Sequence, residues 1–249
     1  MNHLNDFFSR YPRCALGFSG GTDSAYLLAA AIGLGADVQP YFVRTAFQPE
    51  FELDDARRLC GCLGVALKVL DYDILAVPGV AENPRDRCYF CKRAIFSLIS
   101  DRAAADGYPA VIDGTNASDD VDDRPGMKAV SELGVLSPLR ICGITKDRVR
   151  ELSRELGLFT ADKPAYACLA TRIPAGNAIT GEDLQRVELS EKAMTALGYR
   201  DFRVRLTREG DARLELPEGE LLRAAAERAD ILKALGPYFR RVTLDLRGR

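Results

Sequence analysis

The chain has 249 residues, 47% hydrophobic and 28% charged, with a formal net charge of −2. That length fits one or two domains with core enough to fold unaided, and the near-neutral charge excludes a general pull toward nucleic acid or anionic membrane. No charged-then-apolar leader opens the chain and no apolar run reaches about 18 residues, so a cytoplasmic protein without a membrane span is expected. Its single histidine, His3, stands near the N-terminus, which excludes Ser-His-Asp and Cys-His catalysis and any histidine-ligated zinc site. The chemistry therefore falls to cysteine, carboxylate, Lys/Arg and backbone groups. Seven cysteines, an odd number in a reducing compartment, fit a disulfide framework poorly.

Along the chain, short β-like runs alternate with helical segments. CALGF (14–18) precedes a helix from Asp23 to about Leu34, and VQPYFVRT (38–45) precedes the helical FELDDARRLCGCLG. VALKVLDYD (65–73) follows, then a Pro/Gly/Asn-rich loop, the helical CKRAIFSLISDRAAADG and the strand-like PAVIDGT (109–115). TKDRVRELSRELGL (145–158) closes the series, with Thr145 a good N-cap and Asp147 in the first turn. This rhythm predicts an α/β fold, a Rossmann-like, mostly parallel sheet with helices on both faces and its ligands at the carboxyl ends of the strands. Past residue 170 the texture becomes α+β: a helix from Gly181 to Leu197, the strand-like RDFRVRLT and ARLELP, a helix over 218–235 and a last strand, RRVTLDLRG. Two domains are expected, over 1–168 and 169–249.

Between the first strand and its helix stands SGGTDS. The glycines admit positive φ and close approach of the main chain to a ligand, and successive N–H groups at a helix start attract an anion. Ser19 and Ser24 add hydroxyls, Gly20 and Gly21 make the turn, and Asp23 is placed to hold Mg²⁺ bridging phosphate oxygens. The spacing matches neither G-x-x-x-x-G-K-[ST] nor G-x-G-x-x-G, and no lysine is present. The pattern resembles the pyrophosphate (PP) loop of enzymes that split ATP into AMP and pyrophosphate, which leaves the attacking nucleophile open.

Two passages bear on that nucleophile. NPRDRCYFCKRA carries Cys88 and Cys91 at C-x-x-C spacing, directly before a predicted helix and beside Arg87, Lys92 and Arg93. DKPAYACLATRIPAG carries Cys168 in a loop flanked by Pro and Gly. Thiolates are soft ligands for iron–sulfur clusters and also good sulfur donors. Cys14, Cys60, Cys62 and Cys142 read as packing, and Cys60 and Cys62 point in different directions on a helix.

The stretch DGTNASDDVDDRPGMKAVSELGVLSPL (113–139), continued by ITKDRVRELSRELGL, DKPAYACLATRIPAG and LGYRDFRVR, is similar to the LarE family, ATP-dependent sulfur transferases of nickel-pincer nucleotide biosynthesis. The resemblance implies ATP and Mg²⁺ at Ser19, Gly20, Gly21, Asp23 and Ser24. It implies a pyridinium dicarboxylate mononucleotide as substrate, its phosphate gripped by Arg203 and Arg205 with Glu191 a nearby carboxylate. Cys168 matches the family's sulfur-bearing cysteine, which in some members is sacrificed to dehydroalanine. In others, cysteines corresponding to Cys88, Cys91 and Cys168 hold a 4Fe-4S cluster, the version favoured here. The resemblance also implies a homo-oligomer, while the near-neutral charge leads us to expect no membrane or nucleic-acid partner. Where the family has a tryptophan before DKP, this chain reads FTADKP. The rival readings are a tRNA thiolase, an amide-forming adenylylating synthetase and a non-catalytic nucleotide sensor.

Overall fold

The computed structural model describes residues 2–119 and 125–249, so Asp120 to Arg124, within the DGTN…RPG run, lie outside the described residues. The chain divides into two compact units, Met1–Val77 with Asp86–Lys163 and Pro78–Arg85 with Pro164–Arg249.

The first unit runs α1 (Asn2–Arg10), β1 (Arg13–Gly17), α2 (Thr22–Gly33), β2 (Asp37–Arg44), α3 (Glu50–Cys62), β3 (Lys68–Asp71), α4 (Arg87–Ala105), β4 (Ala110–Ile112), α5 (Pro125–Glu132), α6 (Pro138–Ile141) and α7 (Lys146–Glu155). Its four strands form a parallel sheet in the order β3-β2-β1-β4. β1 is central, and its side chains alternate between two cores. Cys14 and Leu16 join Phe42, Leu27, Leu28 and Leu59 on one face, while Ala15 joins Tyr41, Val43, Phe96 and Ile99 on the other. A strand buried on both faces needs apolar residues in both registers, which is why these runs read as continuously hydrophobic. Gly17 is demanded by packing, because a Cβ there would stand 2.7 Å from the Phe96 ring. α7 begins as anticipated, Thr145 Oγ1 accepting the Arg148 N–H.

The second unit holds α8 (Gly181–Ala196), β5 (Arg203–Leu206), β6 (Ala212–Glu215), α9 (Leu221–Ala226), α10 (Arg228–Leu235) and β7 (Val242–Leu244). β5 pairs antiparallel with β6, and β6 parallel with β7. Val204, Leu206, Ala212 and Leu214 are buried, while Arg203 and Arg205 share the opposite face of β5, as the two-residue period requires. The helix expected over 218–235 is instead a 3₁₀ turn (Glu218–Glu220), α9 and α10, broken at Glu227. Residues 78–85 join this unit through backbone bonds, Gly176 N–H to Asn83 O at 2.8 Å and Ile179 N–H to Ala81 O at 2.7 Å. Among the described residues, no helix is long and apolar enough to cross a membrane.

Candidate active site

In the first unit the loops after β1 and β4 and the start of α7 meet at the glycine turn. Gly20 has φ 70°, and a Cβ on it would stand 3.0 Å from the Glu52 carbonyl oxygen, so the turn takes glycine on both counts. Gly21 N-caps α2 without a side-chain cap bond, which leaves the first-turn N–H groups for an anionic ligand. Ser19 Oγ and Ser24 Oγ lie 3.2 Å apart across the turn. Thr22 Oγ1 donates to the Thr160 carbonyl at 2.9 Å and fixes the helix start.

Asp23 does not stand alone. Its Oδ2 accepts from Lys146 Nζ at 2.5 Å and its Oδ1 from Asn116 Nδ2 at 3.2 Å. Asn116 comes from the DGTN run and Lys146 from ITKDR, so two of the quoted motifs close on this carboxylate. Buried Asp113 organises the first of them, accepting from the Thr115 hydroxyl at 2.6 Å and the Ser137 hydroxyl at 2.7 Å. Gly114 lets the loop touch α2, because a Cβ there would lie 2.9 Å from the Ser24 nitrogen. Asn116, Lys146 and Asp113 were missed as site residues. Their signal lies in the DGTN and ITKDR motifs, where the Thr145 cap and the family resemblance do not by themselves single them out.

Cys88 and Cys91 are the second and fifth residues of α4 and do not precede it, and their i, i+3 spacing sets both thiols on one helix face. Cys88 is exposed and Cys91 half-buried, and Arg87 Nη2 donates to Cys88 Sγ at 3.7 Å. Gly126 of the RPG motif packs on this turn, where a Cβ would meet Lys92 Cγ at 3.1 Å and the Cys88 carbonyl oxygen at 3.4 Å. Among the described residues, no three His, Cys, Asp or Glu side chains gather to hold a metal ion.

In the second unit, Cys168 is half-buried and caps a 3₁₀ turn, Leu169–Arg172. Its carbonyl accepts from the Thr171 N–H at 2.9 Å and hydroxyl at 2.8 Å. Arg172, fully buried, donates from Nη1 to the Ala167 carbonyl at 3.0 Å and to Thr171 Oγ1 at 2.9 Å. Its Nε and Nη2 reach Glu191 at 2.8 and 3.2 Å, and the guanidinium lies over the Tyr166 ring at 4.6 Å. Glu191 also accepts from the Tyr166 hydroxyl at 2.6 Å and the Val204 N–H at 3.0 Å. Arg205 donates to Glu215 at 2.7 Å and to the Thr171 carbonyl. Arg203 is pushed below the usual guanidinium range by burial and by the cations Arg249, Arg172 and Arg205. Such a cluster favours an anion.

No family model matches the chain. It is 36% identical, over 95% of its length and 86% of the relative's, to the pyridinium-3,5-bisthiocarboxylic acid mononucleotide synthase of Lactiplantibacillus plantarum. This chain belongs to the LarE family. An uncharacterized protein of Synechocystis is 38% identical over all of this chain and 94% of its own. A tRNA-specific 2-thiouridylase of Rhodococcus opacus is 32% identical over 61% of this chain and 51% of its own. The shorter match ties this LarE-family member to the wider PP-loop superfamily.

The remaining cysteines of this LarE-family chain divide by burial. Burial pushes the Cys14 and Cys60 thiols up to about 11, with Asp37 adding to the effect at Cys14, so both stay protonated and unreactive near neutrality. Cys62, read from the sequence as packing, is instead exposed at the end of α3. In metal-free native protein at mildly alkaline pH, iodoacetamide is expected to label Cys62 and Cys88 first, and Cys14 and Cys60 only after unfolding. Peptide mass mapping reads the order, and early labelling of Cys14 would contradict it.

Proposed function

We propose that the chain adenylylates a carboxylate of a pyridinium dicarboxylate mononucleotide with ATP and converts it to a thiocarboxylate. The observation that carries this reading is the uncapped, glycine-cradled start of α2 in a chain 36% identical to a bisthiocarboxylate mononucleotide synthase. A carboxylate oxygen attacks the α-phosphorus, the α–β bridging P–O bond breaks and pyrophosphate leaves with the electron pair. Backbone N–H groups of the Ser19–Ser24 turn stabilise that charge, an arrangement worth about 10²–10³ in kcat per donor in comparable sites. Asp23 is placed to ligate Mg²⁺. Sulfur then attacks the acyl carbon and the C–O bond to AMP breaks. Water must be kept out, since hydrolysis of the acyl-adenylate would waste ATP.

The first unit serves as the ATP domain. The second binds substrate and mediates homo-oligomerisation, for which Leu222 and Leu246, 86% and 79% exposed, offer apolar surface. Arg203 and Arg205 bind the substrate phosphate, with the cation cluster as support, while Glu191 holds Arg172 and β5 in place. The chain works in the cytoplasm on a small nucleotide, without a nucleic-acid or membrane partner.

Sulfur is delivered either through a three-cysteine iron–sulfur cluster or from Cys168 itself. The route we favour is a 4Fe-4S cluster, for which Cys88 and Cys91, on one face of α4, and Cys168 would each supply a thiolate. When bound, such a cluster offers one open iron for an extra sulfide. The alternative is Cys168 surrendering its own sulfur after attack, its Cβ–S bond breaking with loss of the Cα proton to leave dehydroalanine.

The test is turnover of the pyridinium dicarboxylate mononucleotide with ATP, Mg²⁺ and sulfide under anaerobic conditions. The expected products are AMP, pyrophosphate and a nucleotide whose mass shows oxygen-for-sulfur exchange. AMP with no sulfur-bearing product, or salt-sensitive thiolation of tRNA instead, would overturn the reading. In the same preparation, stoichiometric iron and acid-labile sulfide that vanish with Cys168→Ala support the cluster. Loss of the mass of H₂S at Cys168 after turnover, as dehydroalanine requires, supports the sacrificial route.

A further inference from the structure

The glycine turn is built to attract pyrophosphate yet contains no lysine, unlike loops that set a cation directly on the phosphates. We propose that Lys146, the first residue of α7, is the cation of the pyrophosphate site, held at the turn by Asp23 and assisting departure of the leaving group. The inference rests on the adenylylation reading above and adds to it a residue from a different element.

Three observations support it. Asp23 lies in the first turn of α2, and Lys146 Nζ is 2.5 Å from its Oδ2, so the ammonium stands beside the N–H groups that would receive the phosphates. The backbone beneath that ammonium is fixed. Thr145 caps α7 and the Lys146 N–H donates to Ser118 Oγ at 3.0 Å, while Ser118 N–H closes an Asx turn on Asn116 Oδ1 at 2.8 Å. Asn116 completes the ring by donating to Asp23 Oδ1, so one polar circuit sets the carboxylate and the ammonium together. Finally, the pair remains accessible: the Lys146 and Asp23 side chains are 31% and 24% exposed. A partly exposed ion pair adds little to stability, so fold maintenance alone accounts poorly for so much fixing.

The chemistry needs such a charge. When the α–β bridging bond breaks, its electron pair passes to pyrophosphate, and the turn supplies only neutral N–H and O–H donors. An ammonium has three donors and Asp23 takes one, so Lys146 can donate to pyrophosphate without leaving its carboxylate. Its proton stays on Nζ throughout. Asp23 retains lone pairs with which it could also hold Mg²⁺.

The test is calorimetric titration of full-length wild-type, Lys146→Met and Lys146→Arg protein with inorganic pyrophosphate plus Mg²⁺, and separately with AMP. Lys146→Met is expected to weaken pyrophosphate binding about 10- to 100-fold, as for loss of a hydrogen bond to a charged group. AMP binding should stay within about 2-fold, and Lys146→Arg should recover most of the loss. Independently of any variant, pyrophosphate should protect Lys146 of the wild type from acylation by an N-hydroxysuccinimide ester, read by peptide mass. Unaltered pyrophosphate binding in Lys146→Met, or no protection, would reduce Lys146 to a structural ion pair. Wild-type protein that binds neither ATP nor pyrophosphate would sink the adenylylation reading itself, which separates the two failures.

Discussion

Asp23→Asn is expected to lower AMP release about 10²–10³-fold while leaving the protein folded. The change is isosteric, so shape is not what is lost. Asn116 can still donate to the remaining amide oxygen, and the backbone of α2 is untouched. What disappears is one negative charge, which in the wild type accepts from Lys146 Nζ at 2.5 Å and which, in the proposed reaction, would ligate Mg²⁺. The carboxylate does not itself stabilise the departing pyrophosphate; it holds the cations that do, and losing one such preorganised cation at a developing charge falls in the range measured for oxyanion-type donors. The stability cost has a different scale. Both partners are partly exposed, and pairs of that kind contribute about 0–1 kcal/mol, so the melting temperature should fall by only a few degrees. Rapid-quench measurement of AMP at saturating ATP and Mg²⁺, beside a thermal melt, separates the two effects. AMP formation unchanged by the substitution would defeat the assignment of the glycine turn.

The parts of this molecule legible in the sequence are those whose cause is local. A strand buried on both faces must be apolar throughout, so β1 and β2 announce themselves. Thr145 three residues before the N–H it caps is a local signature, and the SGGTDS turn needs glycine for reasons contained in its own φ angles and close approaches. The illegible parts have distant causes. α4 starts at Arg87 although Asp86 makes no side-chain cap bond, so nothing nearby marks a start four residues ahead of the CKRAIF run. The break between α9 and α10 falls at Glu227, whose carboxylate accepts from the Tyr199 hydroxyl at 2.9 Å, a partner from another element. Residues 78–85 belong with the second unit through backbone bonds from Gly176 and Ile179 and through the Asn83 side-chain amide, which donates to the Pro174 carbonyl, and no periodicity encodes these. The Asp23–Lys146 pair spans 123 residues, and only the fold brings its motifs together.

Glu191→Ala is expected to destabilise the second unit by about 3–5 kcal/mol, because it strands a buried guanidinium. The Arg172 side chain is fully buried and Glu191 only 8% exposed, so water cannot replace the lost carboxylate. Burial works against the charged form of Arg172, yet the Glu191 hydrogen bond and charge outweigh it and hold the guanidinium firmly protonated. With Glu191 removed, that balance reverses. Three further groups lose order at once: the Tyr166 hydroxyl and the Val204 N–H lose their acceptor, and Arg172 loses the anchor from which it holds Ala167 and Thr171 around Cys168. For a chain of this size the penalty corresponds to a melting-temperature drop of roughly 10 °C. It should be accompanied by loss of sulfur transfer greater than loss of AMP formation, since the groups disturbed surround Cys168 and β5. The cost is that of an unpaired charge rather than of the pair's net worth, so the double variant Arg172→Met/Glu191→Leu should recover much of the stability without recovering sulfur transfer. A single variant that melts like the wild type would show that Arg172 finds another acceptor, and that Glu191 does not hold the Cys168 turn to the strand bearing Arg203 and Arg205.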